Sequence, residues 1–353
     1  MKTIAKTALI LMIILLSMSC SNDDGQANKN PESAKVTVYT AGCEYNGAGK
    51  MVAKYWKDGV ATNVTNGSQH AAATSIVVAY DTIYVAGFEN NGTKDGATLW
   101  KNGVAEILPN PSSSAAHAND VVVIGNDVFA CGDWTDFNGA AEIHKACYWK
   151  NGIFTTLTTG VLNAFATSFA VVGSDIYIGG YQKNAAGKNV AKYWKNGVDV
   201  MLSNGTADAT VNDILINGTD IYAAGSEWNG TVTVAKYWKN GFPVNLTDGT
   251  KSAWATNIKI IGDDIYVSGT EMNTKFQAKY WKNGVPTNLT DGSKEAAATA
   301  IEVSGTTVYA AGYEDLLTSG GFTKATCWIN GLPNILNDGN YVARVYSICI
   351  TTN

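Results

Sequence analysis

The heptapeptide Ala191-Lys192-Tyr193-Trp194-Lys195-Asn196-Gly197 is the fullest of seven variants of one phrase, and their spacing constrains the fold more than any other feature. The phrase tryptophans are Trp56, Trp100, Trp149, Trp194, Trp238, Trp281 and Trp328, which sets a repeating unit of about 45 residues. A unit this short cannot bury a core alone and must stack on its neighbours. Behind each tryptophan comes Asn-Gly, or Asp58-Gly59 in the first unit. Between apolar runs these pairs suit a two-residue type I′ hairpin, because both central positions need positive φ. A second tight turn lies upstream, as in Ile261-Gly262-Asp263-Asp264. Each unit therefore reads as four short antiparallel strands, A to D, expected in the sixth unit over residues 256–261, 264–269, 278–282 and 285–289.

Seven such units predict an all-β, seven-bladed β-propeller over residues 35–353. The chain begins on a B strand, residues 36–42, and ends on an A strand, residues 344–350, so the C-terminus is expected to complete the N-terminal blade and close the ring. A composition of 46% hydrophobic and 16% charged residues, with 36 glycines, supplies the core and turns this requires. Consecutive strand residues face opposite sides, so the Tyr and Trp of strand C should press one aromatic on each neighbouring blade. Each burial is worth about 2–3 kcal/mol. Small pairs such as Ala86-Gly87 and Ala224-Gly225 in strand B are expected to leave room for them. The other reading of the repeated tryptophan is a sevenfold array of ligand sites.

In Ala278-Lys279-Tyr280-Trp281-Lys282-Asn283-Gly284, followed by Leu289 and Ala298-Thr299-Ala300-Ile301, the unit resembles the HAF-type extracellular repeat. That resemblance implies a propeller and no particular reaction.

Lys2 and Lys6, an apolar stretch over residues 8–16 and then Ser17-Met18-Ser19-Cys20 have the layout of a secretory signal. An ordinary signal would be cut near Ser19. The cysteine after small residues resembles a bacterial lipobox, which implies a signal over residues 1–19, lipidation (palmitate) at Cys20 and a flexible tether to residue 34. Asp23-Asp24 behind it resembles the surface-export signal of Bacteroidetes lipoproteins, which implies the outer face of a Gram-negative outer membrane, with membrane contact only through the lipid. Cys43, Cys131, Cys147, Cys327 and Cys349 remain, an odd number without paired zinc spacing, so at least one thiol should be free.

The A–B and C–D connections are tight turns, whereas the B–C and D–A connections are long and variable, so a site is expected on the latter face. Trp134 and Trp228 are placed in B–C loops, Trp254 in a D–A loop, as aromatic platforms for a glycan or a protein partner. His70 and His117 are placed in D–A loops, and His144 in the long B–C loop of the third unit beside Asp133, Asp136 and Glu142. That cluster could supply an acid and a base, or ligands for a metal. Glu44, Glu89, Asp133, Glu227, Glu271 and Glu314, with Gln182, recur after strand B and are expected either to form exposed pairs with the strand C lysines Lys54, Lys192, Lys236 and Lys279 or to accept hydrogen bonds from loop backbone. Thr74, Asn119, Thr167, Asn212, Thr256, Thr299 and Arg344 are expected to ring a wet central channel, with Arg344 its one cation.

A net charge of −5 with scattered lysines argues against nucleic acid. The chain lacks the sialidase Asp-box, the Gly-x-Ser-x-Gly elbow, His-Glu-x-x-His and a phosphate-binding glycine loop, and no motif calls for a metal or cofactor. The readings left are a monomeric surface-anchored binding module for a glycan or protein, a polysaccharide lyase or hydrolase using His117, Asp133 and His144, and a structural surface component.

Overall fold

The computed structural model describes residues 35–111, 114–139, 141–316 and 322–352, and Cys20 with its signal and tether lies outside them. The described chain forms seven four-stranded antiparallel sheets arranged as a seven-bladed propeller, with no helix among the described residues. Blade 1 is composite: the last strand, Ala343–Thr352, pairs with Val36–Tyr45, so a backbone ladder closes the ring.

The turn chemistry is as the sequence implies. Asp58 and the six phrase asparagines have φ of 48–52°, and the glycines after them 76–85°. Each of these residues does a second job. Its Oδ1 accepts the backbone N–H that opens strand B of the same blade, at 2.8–2.9 Å in all seven. One residue type thus shapes the C–D turn and ties it to strand B.

All seven phrase tryptophans are at most 2% exposed. Each packs back on the preceding blade, where it meets the residue just before that blade's own tryptophan: Tyr55 with Trp100, Tyr193 with Trp238, Tyr237 with Trp281. The array is core, not a set of ligand sites.

Every inner strand carries a β-bulge, as between Ala73 and Ser75 or Ala255 and Asn257. In six blades the extra residue reaches the next blade. Thr74, Asn119, Thr167, Asn212, Thr256 and Thr299 each donate a side-chain hydrogen bond to its inner-strand carbonyl at 2.6–2.9 Å. The bulge also explains the strand B glycine. A Cβ on Gly87 or Gly225 would stand 1.9 Å from the carbonyl oxygen of Ala72 or Thr210. The small pair thus admits the neighbouring strand first, and aromatic rings second, as at Gly180, where Trp194 would be 2.9 Å away.

Two expectations are corrected by register. The seventh bulged residue is Tyr346, so Arg344 lies two positions short of the axial ring, and its guanidinium stacks 4.6 Å from the Tyr313 centroid. The axial cavity, about 240 Å³, has its own cation in Lys259, which is 2.7 Å from Glu302. Strand B acids do pair with strand C lysines as expected, but the lysine partners are buried rather than exposed. Lys54, Lys236 and Lys279, bound to Glu44, Glu227 and Glu271, are only 4–7% exposed, as is Lys192, which reaches Gln182 and Asp199. Their ammonium groups lie 5.7–5.9 Å from the centroids of the phrase tryptophans. Asp133 falls outside this series, because Trp134 occupies the acid's position and Cys147 the lysine's. All five described cysteines are free thiols.

Candidate functional site

Apart from His70, the sequence-nominated residues lie at the B–C and D–A end of the blades on strands rather than in loops. In blade 3, strands B and C run Asp127–Asn138 and Ala141–Lys150, each three residues longer than in blade 5. What reads as a long loop is an extended hairpin. Asp136, Glu142 and His144 belong to it, and a Lys145–Asp136 ion pair stitches it. His117 is the second residue of strand A in blade 3, Trp254 its equivalent in blade 6, and Trp228 ends strand B of blade 5. His70 immediately precedes strand A of blade 2, Ala71–Ala79, as expected of a D–A connection.

Trp134 is not a platform. It is 6% exposed, packs in the core between blades 2 and 3 with Leu99 and Trp149, and meets Phe154 edge-on at 5.9 Å.

Asp133, on the opposite side of the strand from Trp134, is the centre of a polar cluster. Its Oδ2 is 2.9 Å from His144 Nδ1 and 3.7 Å from His117 Nδ1, and His117 Nε2 is 3.1 Å from Asp95 Oδ2 of blade 2. His117 is held edge-on by Phe88, and His144 lies stacked on Phe165 of blade 4. Burial alone would raise the Asp133 carboxyl, but the two imidazoles outweigh it and hold the group below its usual value. For His117 burial opposes the proton, and the bonds to Asp133 and Asp95 overcome it, raising the group above its ordinary value. His144 spends Nδ1 on Asp133, and Nε2 has no partner among the described residues. A carboxylate-oriented imidazole with one free nitrogen can take or give a proton. The histidines border a cavity of about 500 Å³ that also reaches Asp95, Glu142 and Phe137. Among the described residues, no three His, Cys, Asp or Glu side chains are arranged to hold a metal ion.

A second cavity, about 340 Å³, brings Trp228 and Trp254 together with Asn189, Asp208, Thr210 and Ser226. Trp228 is 40% exposed, and Trp254 is fixed edge-on by Phe276 at 5.5 Å. Asp208 accepts the Asn189 backbone N–H at 2.9 Å and the Lys188 ammonium at 3.1 Å, which keep its carboxyl below the ordinary value.

These cavities occupy the same node of the repeat, two blades apart. Strand register equates His117 with Thr210, Asp133 with Ser226, Thr135 with Trp228, and His144 with Thr233. The backbone agrees: Thr135 N–H binds Ala115 O, and Trp228 N–H binds Asp208 O, both at 2.8 Å. Asp95, Asp208 and Phe165 escaped the sequence reading. Asp95, Asn189, Thr233 and His144 all stand five residues before a phrase tryptophan, a signal the repeat alignment contained.

No protein-family model and no curated protein matches the sequence. Among solved structures the chain is similar to a puromycin-hydrolyzing peptidase of Mycobacterium tuberculosis, at 11% identity and TM-score 0.60, covering 85% of this chain and 52% of that one. It is also similar to the acylaminoacyl peptidase of Pyrococcus horikoshii, at 12% identity and TM-score 0.52, covering 88% of this chain and 52% of that one. The chain spans about half the length of these peptidases, and at such identities the likeness is one of fold.

Proposed function

We propose that this protein is a lipid-anchored cell-surface propeller that binds a glycan in the cavity of Trp228 and Trp254. The observation that carries the reading is the convergence of two tryptophans from adjacent blades on one cavity edged by a carboxylate, an amide and hydroxyls. Sugar rings offer apolar C–H faces to aromatic planes and hydroxyls to just such polar groups. The test is retention of the purified full-length protein on a panel of immobilised polysaccharides. Trp254→Ala and Trp228→Ala should each weaken retention about tenfold, or ~1.4 kcal/mol, with an unchanged circular dichroism spectrum. Retention that both variants preserve would remove the cavity from consideration. Anchoring is tested by Cys20→Ala, which should abolish palmitate incorporation.

A second reading rests on the Asp133–His144 pair: acid–base cleavage of the same polysaccharide in the cavity two blades away. It expects release of new reducing or unsaturated ends, lost in His144→Ala. Bound polysaccharide that is never cut sinks this reading and leaves the first intact.

A further inference from the structure

The ring-closing junction between blades 7 and 1 departs from the repeat at three places. The strand C residue that faces the next blade's tryptophan is Tyr at five junctions and Leu99 at one, but Cys327 here. The residue after each blade's own phrase tryptophan is Lys in six blades and Ile329, behind Trp328, in blade 7. In strand B, the partner of the phrase tryptophan is Val85, Ala130, Ile178, Ala223, Val267 or Ala310 elsewhere, and Thr40 in blade 1.

The smaller Cys327 and Ile329 side chains border a cavity of about 270 Å³ that also meets Val38, Thr40, Trp56, Tyr309 and Leu336, and the Thr40 change places a hydroxyl in its wall. Thr40 is 2% exposed and Trp56 1%, yet neither Thr40 Oγ1 nor Trp56 Nε1 has a hydrogen-bond partner among the described residues. A buried polar group left so costs about 1–3 kcal/mol. Water is a poor remedy. The volume is several times the ~30 Å³ share of one molecule, and the polar side chains Asp58 and Asn334 stand at its exposed mouth while the walls around Thr40 and Trp56 are mainly apolar, where a water would lack the roughly three polar partners it needs. No unpaired cation lines the space: Lys54, above the Trp56 ring, is bound to Glu44. Burial pushes the Cys327 thiol up to about 12, so it is not a nucleophile.

We infer that this cavity is a binding site for a neutral, largely apolar small molecule carrying one oxygen function, which accepts the indole N–H of Trp56 and pairs with the Thr40 hydroxyl. It is separate from the glycan cavity and does not depend on it.

The test titrates 2-naphthol into the purified full-length protein by calorimetry. Saturable one-to-one binding is expected. Cys327→Tyr, which restores the residue used at five other junctions, should abolish it, and Cys327→Leu, which mimics Leu99, provides the same test should the tyrosine fail to fold. Thr40→Val, the residue of blade 2, should raise thermal stability and weaken binding about tenfold, the order of one hydrogen bond. No saturable binding to the parent protein, or binding undiminished in a folded Cys327 variant, overturns the site. Binding unaffected by Thr40→Val overturns the assigned ligand chemistry. None of these outcomes alters polysaccharide retention.

Discussion

The node that holds Thr210, Ser226, Trp228 and Thr233 in blade 5 holds His117, Asp133, Thr135 and His144 in blade 3. Backbone, register and even the closing Trp228 N–H to Asp208 hydrogen bond have counterparts in both. One set of side chains makes an aromatic, hydroxyl-lined recess, the other a carboxylate between two imidazoles. The propeller therefore separates scaffold from chemistry. The buried ring of tryptophans, turns and bulges is kept constant, while positions at the strand ends vary with little cost to packing.

The comparison can be broken most forcefully through the scaffold. Trp238→Ala empties a site in the junction between blades 4 and 5 and should cost about 3–5 kcal/mol in chemical denaturation. A loss near zero would mean that the repeated phrase is not what joins the blades.

A sharper contrast sets Asp133 against Asp213, which lines the axial cavity. Among the described residues Asp213 accepts hydrogen bonds from neutral donors, Ser168, Asn257 and the Ile258 and Ile214 backbones, so burial, helped by the charge of Asp120, dominates and raises it to about 6. A carboxyl raised on folding supports stability below its unfolded value, and that support is lost as pH rises through about 6. Asp213→Asn should therefore flatten the stability profile between the ordinary carboxyl value and about 6, and leave the variant about 1–2 kcal/mol more stable than the parent at pH 7.5 after solvent screening.

Asp133 should behave in the opposite sense. Its carboxyl is lowered, so its contribution is present above the ordinary carboxyl value and fades as pH falls through the folded one. His117 is raised, so the pairing is complete below the ordinary imidazole value and lost as pH climbs through the folded one. Asp133→Asn should destabilise by about 1–3 kcal/mol near pH 6 and by less at pH 9. A loss that grows towards pH 9 would contradict a charged His117.

The smallest effect is at the rim. Asp95→Asn removes one of the two carboxylates on His117 and should move its titration midpoint, followed by NMR, downward towards the ordinary value with little change in melting temperature. An unmoved midpoint would assign the whole shift to Asp133.

Much of this was legible in the chain. The Asn-Gly pairs state their own backbone conformation, and the alternation of Tyr and Trp states which residue faces which blade. Trp134 and His144 were misplaced because an extended hairpin and a loop look alike where polar and aromatic residues mix. Arg344 was misplaced by two residues because a bulge changes register without a sequence mark, and Asp133 by one because it adjoins the position of the recurring acid. The Thr40 and Cys327 substitutions are visible as departures from the repeat, but they come from opposite ends of the sequence.

By itself the sequence determined the strand count, the turn types, the order of the blades and the closure of the ring, since each follows from local periodicity and from φ preferences that neighbours in the chain decide. Only the tertiary structure decided which side chains meet. Trp228 joins Trp254, Asp133 joins His144 and His117, and Thr40 faces a void left by Cys327, because those distances depend on how one blade packs on the next.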